Sequence, residues 1–276
     1  MSKDVRLEGA GVRYGTARVL DPVDLHLPAG SFTALLGPSG CGKSTVLNLV
    51  AGFTRPSEGR VTAGAAPVRG PGPDRGVVFQ HYALYPWRTA RGNVEFALKR
   101  LGLPRAERRR RALEALAEVG LADGAEKYPA QLSGGMQQRV ALARALAAEP
   151  EVLLMDEPFG ALDALTRTRM QTLLRELWRR RGTTVLFVTH DIDEALALAE
   201  RVVVLGGTPG RVLADHEVPE DTAAAPEPVR AGARHRPADG PAQGPAQGPA
   251  QGPGQGPAHG PTSDLRSLIA RQLGSE

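Results

Sequence analysis

An apolar run, SFTALLG, feeds directly into GPSGCGKST, so that residues 31–45 spell a strand, a glycine-rich loop and the start of a helix in that order. The pattern G-x-x-x-x-G-K-[ST] is satisfied from Gly37 to Ser44 in the setting it requires. Glycines at Gly37, Gly40 and Gly42 let the backbone wrap closely enough for its N–H groups to face phosphate oxygens, and the helix start adds the positive end of its dipole. In such a loop Lys43 reaches the β- and γ-phosphates of a nucleotide and Ser44 ligates magnesium. The whole turn, Gly37, Pro38, Ser39, Gly40, Cys41, Gly42, Lys43, Ser44 and Thr45, becomes a candidate nucleotide cradle. Cys41 occupies an unconstrained place in it and reads as a spacer rather than a redox switch.

Strand-like and helix-like runs alternate through the first 216 residues, as they do in parallel-sheet proteins. SFTALLG, GVVFQ, EVLLMD, TVLFVTH and RVVVLG are the strand candidates. Several of these are apolar almost throughout, which predicts strands covered on both faces. Helices are predicted after Lys43, over about 105–119, over about 134–148 and over 166–181. The last places Met170, Leu173, Leu174, Leu177 and Trp178 on one face and stops at Gly182. The strand VLLMDEP ends in two carboxylates, of which Asp156 suits the magnesium side and Glu157 the orientation or deprotonation of a water. Taken alone, a strand that ends in an acidic turn is also a common structural feature.

The segment QLSGGMQQRVALARAL carries Leu132-Ser133-Gly134-Gly135 with Gln138 and Arg139 at the head of a helix. This resembles the signature motif of the ATP-binding-cassette (ABC) ATPases, and the resemblance extends over roughly residues 4–215. It implies a P-loop NTPase core with a mainly parallel sheet, an N-terminal antiparallel β part and an inserted helical subdomain at about 84–149, the cassette closing near residue 216. It further implies that Tyr14 stacks on adenine, although an ordinary strand aromatic is the alternative reading. Gln80 would sense magnesium and water, His190 would reach the γ-phosphate, and Asp163 would make a contact across a dimer. Ser133, Gly134 and Gly135 form a second helix start able to face phosphate. In the family each signature caps the ATP bound by the other subunit. A chain with one copy of each motif therefore needs a second cassette subunit, most simply a copy of itself. ATP and Mg2+ are the implied ligands.

The stretches GPGPDRGVVFQ, LYPWRTARGNV, LDALTRTRMQ and TVLFVTHDIDEAL are similar to those of the ATPase subunits of nitrate, sulfonate and taurine importers. That subgroup implies a peripheral subunit on the cytoplasmic face of the membrane. It would dock on an integral permease and work indirectly with an extracytoplasmic substrate-binding protein. His81 departs from the pattern, which expects an acidic or small polar residue there. Trp87 either packs inside the domain or anchors the permease. A soluble cassette acting on ribosomes or DNA is the alternative, but neither a second P-loop nor a heptad insertion is present.

Charge supports no nucleic-acid role. The net charge is +4 and is spread too diffusely for a basic stripe. No apolar run approaches the ~20 residues needed to span a bilayer, and the first residues lack an apolar leader, so a cytoplasmic location is expected. One cysteine excludes a disulfide scaffold. After residue 216 the chain changes character. Residues 217–263 contain the repeat GPAQGPAQGPAQGPGQGPAHGP, which has almost no apolar surface to bury and is expected to be disordered. Beyond it, residues 264–276 place Leu265, Leu268, Ile269 and Leu273 at the spacing of a short amphipathic helix.

Overall fold

The computed structural model describes residues 2–219 and 261–274. The GPAQ repeat lies outside the described residues. Ten strands and seven α-helices are described: β1 (Val5–Tyr14), β2 (Ala17–Leu27), β3 (Phe32–Leu36), α1 (Lys43–Ala51), β4 (Glu58–Ala63), β5 (Ala66–Pro67), β6 (Arg75–Val78), α2 (Ala90–Leu98), α3 (Arg105–Glu118), α4 (Gly134–Leu146), β7 (Val152–Asp156), α5 (Ala164–Arg181), β8 (Thr184–Thr189), α6 (Ile192–Leu198), β9 (Arg201–Gly206), β10 (Arg211–Glu217) and α7 (Pro261–Gln272).

Two sheets form. A four-stranded antiparallel sheet has the order β2-β1-β4-β5, and a six-stranded sheet has the order β10-β9-β3-β8-β7-β6. In the larger sheet every neighbouring pair is parallel except β10 with β9. Side chains alternate across its strands, and both faces are covered. Phe32, Ala34, Leu36, Val185, Phe187, Val202 and Val204 join one apolar cluster with the helical insertion, while Leu35, Leu186, Val188, Val203 and Leu205 join another with α1 and the antiparallel sheet. That double covering is why these strands read as unbroken apolar runs rather than as alternating ones.

The helical insertion is built from α2, α3 and α4, which pack on one another. Thr89 is the N-cap of α2, its hydroxyl accepting the Gly92 N–H at 3.0 Å. α5 begins two residues before the expected Thr166, because the Asp163 side chain accepts the Thr166 N–H at 2.9 Å and caps the helix there. Met170, Leu174 and Leu177 are buried along its inner face, and Trp178 donates its ring N–H to Gly30 O at 3.0 Å. Gly182 closes the helix in the left-handed conformation at φ 61°, which a glycine adopts without a Cβ clash.

Both ends of the expected tail move. β10 runs through Glu217 and Val218 is buried, so ordered packing continues past residue 216. α7 begins at Pro261, three residues before the expected start, consistent with the tolerance of a helix's first turn for proline. It packs on α6. Ile269 is fully buried there, with Leu265 and Leu273 against the same cluster. Arg266 forks onto Asp193 of α6 at 2.7 and 3.2 Å, and His216 lies 2.9 Å from Gln272.

Candidate nucleotide site

The parallel register brings the C-terminal ends of four strands level. Leu36 of β3 pairs with Thr189 of β8, Asp156 of β7 with Val188, and Val78 of β6 with Met155. The segments that follow β3, β6, β7 and β8 therefore emerge along one edge, the position where open α/β sheets place their ligands. Lys43, Gln80, Glu157 and His190 each lie on one of those segments.

The loop after β3 is tight. A Cβ on Gly37 would meet Leu205 O at 2.3 Å and Cys41 Sγ at 2.7 Å, so only glycine fits. Gly40 and Gly42 hold φ of 82° and 94°. Gly42 is the N-cap of α1, and no side chain caps that helix start, which leaves its first N–H groups for a ligand. Cys41 is buried in the cluster beneath the loop, and burial pushes its thiol up, which suits a packing role. Lys43 is 5% exposed, with Nζ donating to Gly37 O at 2.8 Å and Pro38 O at 2.9 Å.

Around it stand the carboxylates. Ser44 Oγ donates to Asp156 Oδ1 at 3.3 Å. Burial, with the neighbouring Glu157 charge, raises the Asp156 carboxyl above its ordinary value, against the opposing pull of Ser44 and Lys43. Glu157 follows at φ 42°, a left-handed backbone that is uncommon for a residue with a side chain. Its N–H donates to Val188 O at 2.9 Å, which pins the turn to β8. Its Oε1 lies 4.0 Å from Lys43 Nζ, and its Oε2 lies 3.3 Å from His190 Nδ1 and 3.4 Å from Gln80 Nε2. The backbone around His190 is held by Thr189, whose hydroxyl donates to the buried Glu194 carboxylate at 2.8 Å and accepts the Asp191 N–H at 3.0 Å. Lys43, Ser44, Gln80, Asp156, Glu157 and His190 thus form one connected group.

Tyr14, Ser133, Gly134, Gly135 and Asp163 stand apart from it. Tyr14 ends β1 and is 58% exposed. Ser133 is the N-cap of α4 and accepts the Met136 N–H at 3.3 Å. A Cβ on Gly135 would lie 2.5 Å from Thr166 Cγ2, so this glycine admits the start of α5. Among the described residues no hydrogen bond joins Ser133, Gly134 or Gly135 to the loop at 37–45. A cavity of about 370 Å³ opens beside this helix start, lined by Ser133, Gly135, Arg139, Lys127 and Arg169 among others. Asp163 caps α5, and the hydrogen bonds it accepts there lower its carboxyl pKa.

Just past Gln80 lies an aromatic patch. Tyr85 packs against Trp87 at 5.6 Å and against Phe96 at 4.6 Å between ring centroids, with the Arg88 guanidinium 4.9 Å from the Phe96 centroid. Trp87 is 68% exposed, so the packing alternative raised by the sequence does not hold. The loop is fastened from beneath by buried Asn93, whose side chain accepts the Tyr85 N–H and donates to the carbonyls of Tyr85, Arg88 and Thr89. Asn93 carried no signal in the sequence, because its partners are backbone groups. Arg144 was missed for the same reason. It donates to the carbonyls of Tyr82 and Ala83 in this loop.

Parallel sheet, phosphate loop and helical insertion together define a P-loop ATPase of the cassette architecture. The ABC transporter family profile matches residues 20–160. The Taurine import ATP-binding protein TauB of Chromobacterium violaceum is 54% identical over 204 residues, covering 73% of this chain and 78% of that protein. A dimeric post-hydrolysis structure of the ATP-binding cassette MJ0796, bound to ADP and Pi, superposes with a TM-score of 0.69 at 37% identity and covers 78% of this chain and 99% of that one. The Clostridium perfringens protein cbiO1, part of the ABC transporter complex cbiONQ, gives a TM-score of 0.72 at 30% identity over 81% of this chain and 92% of that one. The chain belongs to the ABC transporter family and is an ATP-binding, ATP-hydrolysing cassette. Among the described residues no helix is long and apolar enough to cross a membrane.

Proposed function

We propose that this cassette energises uptake of a small anion of the sulfonate, taurine or nitrate kind through a partner permease. The observation that carries the catalytic half is the Glu157 carboxylate, which faces Lys43, Gln80 and His190 at once. Glu157 is the base. Its Oε2 is oriented by the Gln80 amide and the His190 ring, so that a water beside the carboxylate loses its proton to it while the water oxygen bonds to the γ-phosphorus and the bond from that phosphorus to the β–γ bridging oxygen breaks, leaving ADP and phosphate. Lys43 offsets charge on the β- and γ-phosphates, and the backbone N–H groups at the uncapped start of α1 cradle them. His190 contacts the γ-phosphate, and Tyr14, exposed at the end of β1, stacks on adenine.

A hydroxyl and a carboxylate 3.3 Å apart, Ser44 and Asp156, are hard oxygen donors of the kind magnesium takes with a nucleotide, and Gln80 adds a third polar group nearby. Bound there, the cation would offset charge on the phosphates and on Asp156. Ser133, Gly134 and Gly135 act on the nucleotide of a second subunit, and Asp163 meets that subunit, so the working unit is a dimer, most simply of two identical chains.

The transport half rests on the relationship to the taurine import protein and on Trp87, which stands in solvent beside the Gln80 loop. Two aromatics in an exposed loop are suited to anchor an interface. The permease engages them from the cytoplasmic side of the membrane, and an extracytoplasmic binding protein delivers the substrate to it. Uptake of labelled taurine, an alkanesulfonate and nitrate by a strain lacking this gene, complemented with the natural chain or with Glu157→Gln, tests the reading. Restoration of one uptake by the natural chain alone is expected. Equal restoration by both would overturn it.

A further inference from the structure

Arg144 lies near the C-terminal end of α4, the helix that Ser133 begins. The hydrogen-bond partners of its half-buried guanidinium are two backbone carbonyls, Tyr82 O at 2.8 Å and Ala83 O. Burial lowers its pKa against an opposing pull from Tyr85, and among the described residues no carboxylate pairs with it.

What it holds is a turn in an unusual conformation. Tyr82 and Ala83 are consecutive non-glycine residues at φ 50° and 47°, in the left-handed region where a Cβ crowds the carbonyl that follows it. The Tyr82 N–H donates back to Phe79 O at 3.1 Å, so the turn wraps directly around Gln80 and His81. The Tyr82 hydroxyl lies 3.4 Å from the place a Cβ on Gly134 would occupy. The turn therefore lies along α4, with its phenol beside the first residue of the helix and its carbonyls bonded to Arg144 near the last. Gln80, two residues before Tyr82, keeps its amide 3.4 Å from Glu157.

We propose that Arg144 is a positioning residue for hydrolysis: by clamping the Tyr82–Ala83 turn it holds the Gln80 amide against Glu157 and makes Gln80 and the Ser133 helix start move as one piece. The proposal rests on the catalytic reading of Gln80 given above. Arg144 bonds to the turn and acts only through Gln80. Lysine replaces it only in part, because an ammonium on a flexible stem does not present the planar fork that meets two adjacent carbonyls.

The test uses the full chain and its basal ATP turnover. Arg144→Met is expected to lower kcat about tenfold with KM for ATP within about twofold, and Arg144→Lys to fall between it and the natural chain. Combined with Gln80→Ala, Arg144→Met should add less than about twofold to the loss, since both changes remove the same positioned amide. Ala83→Gly in the Arg144→Met background should recover at least about threefold of kcat, because glycine adopts the left-handed turn without the clamp. A purely structural role for Arg144 would show a lowered melting temperature, additive losses and no rescue by glycine, and that pattern overturns the proposal. Should Arg144→Met fail to fold, the same combinations with Arg144→Lys give the decision. Unchanged turnover in Gln80→Ala alone would overturn the reading of Gln80, and this proposal with it. An impaired Gln80→Ala with additive losses and no rescue would overturn this proposal only.

Discussion

His190 Nδ1 lies 3.3 Å from Glu157 Oε2, joining the residue that follows β8 to the residue that follows β7. Because Gln80 approaches the same oxygen from the end of β6, the carboxylate has one orientation in which both neighbours are satisfied. Glu157→Gln keeps the size of the side chain and removes its capacity to take a proton. Turnover is expected to fall about a hundredfold or more, the range for loss of a general base, while ATP affinity stays within about twofold. Phosphate release and titration calorimetry read the two quantities, and near-normal turnover would remove Glu157 from the role of base.

Lys43 is nearly inaccessible and spends its donors on the loop's own carbonyls, Gly37 O and Pro38 O. Lys43→Ala removes both the charge toward phosphate and the brace that closes the loop. ATP affinity should drop about tenfold or more, by analogy with the loss of charge-assisted hydrogen bonds. Calorimetry with ATP decides, and unchanged affinity would place the nucleotide elsewhere.

Trp87 stands 68% exposed, so little packing is lost when it is removed. Trp87→Ala should shift the melting temperature by no more than about 2 °C, as surface changes do in a domain of this size. Basal ATP turnover should be unchanged, and uptake through the permease should be lost. A fall of more than about 5 °C would instead assign the ring a packing role.

α7 is held by one apolar side chain far more than by its ion pair. Ile269 is fully buried, and Ile269→Ala should cost about 2–5 kcal/mol. The Arg266–Asp193 pair is exposed at 58% and 68%, and Arg266→Ala should leave stability nearly unchanged. Chemical denaturation of the two variants compares them directly, and equal losses would contradict this division.

Excising residues 240–260 leaves Pro261 as the first residue of α7 and about twenty residues to reach it, which can extend over about 60 Å. Shortening a long connection changes loop entropy only slightly. Basal turnover should stay within about twofold. Loss of hydrolysis in a folded protein would make the excised segment a regulator.

The order of the motifs, the phosphate loop at 37–45, the buried strands and two of the inserted helices, α3 and α4, were legible in the residues, because each is written in a local pattern, whereas α2 was not. Glycine spacing, apolar runs and the 3.6-residue period need no partner to be read, and even the short α7 announced itself by Leu265, Leu268, Ile269 and Leu273. What folding added is distance. Gln80 and Glu157 are 77 positions apart and meet because β6 and β7 lie side by side in parallel register. The exposure of Trp87, the packing of Ile269 against the core and the burial of Asn93 depend on which surfaces the helices leave uncovered, and no single segment encodes that. The Arg144 clamp left no trace in the sequence for a further reason. Its acceptors are the backbone carbonyls of Tyr82 and Ala83, which every residue type carries, and the left-handed turn they form shows no glycine to mark it.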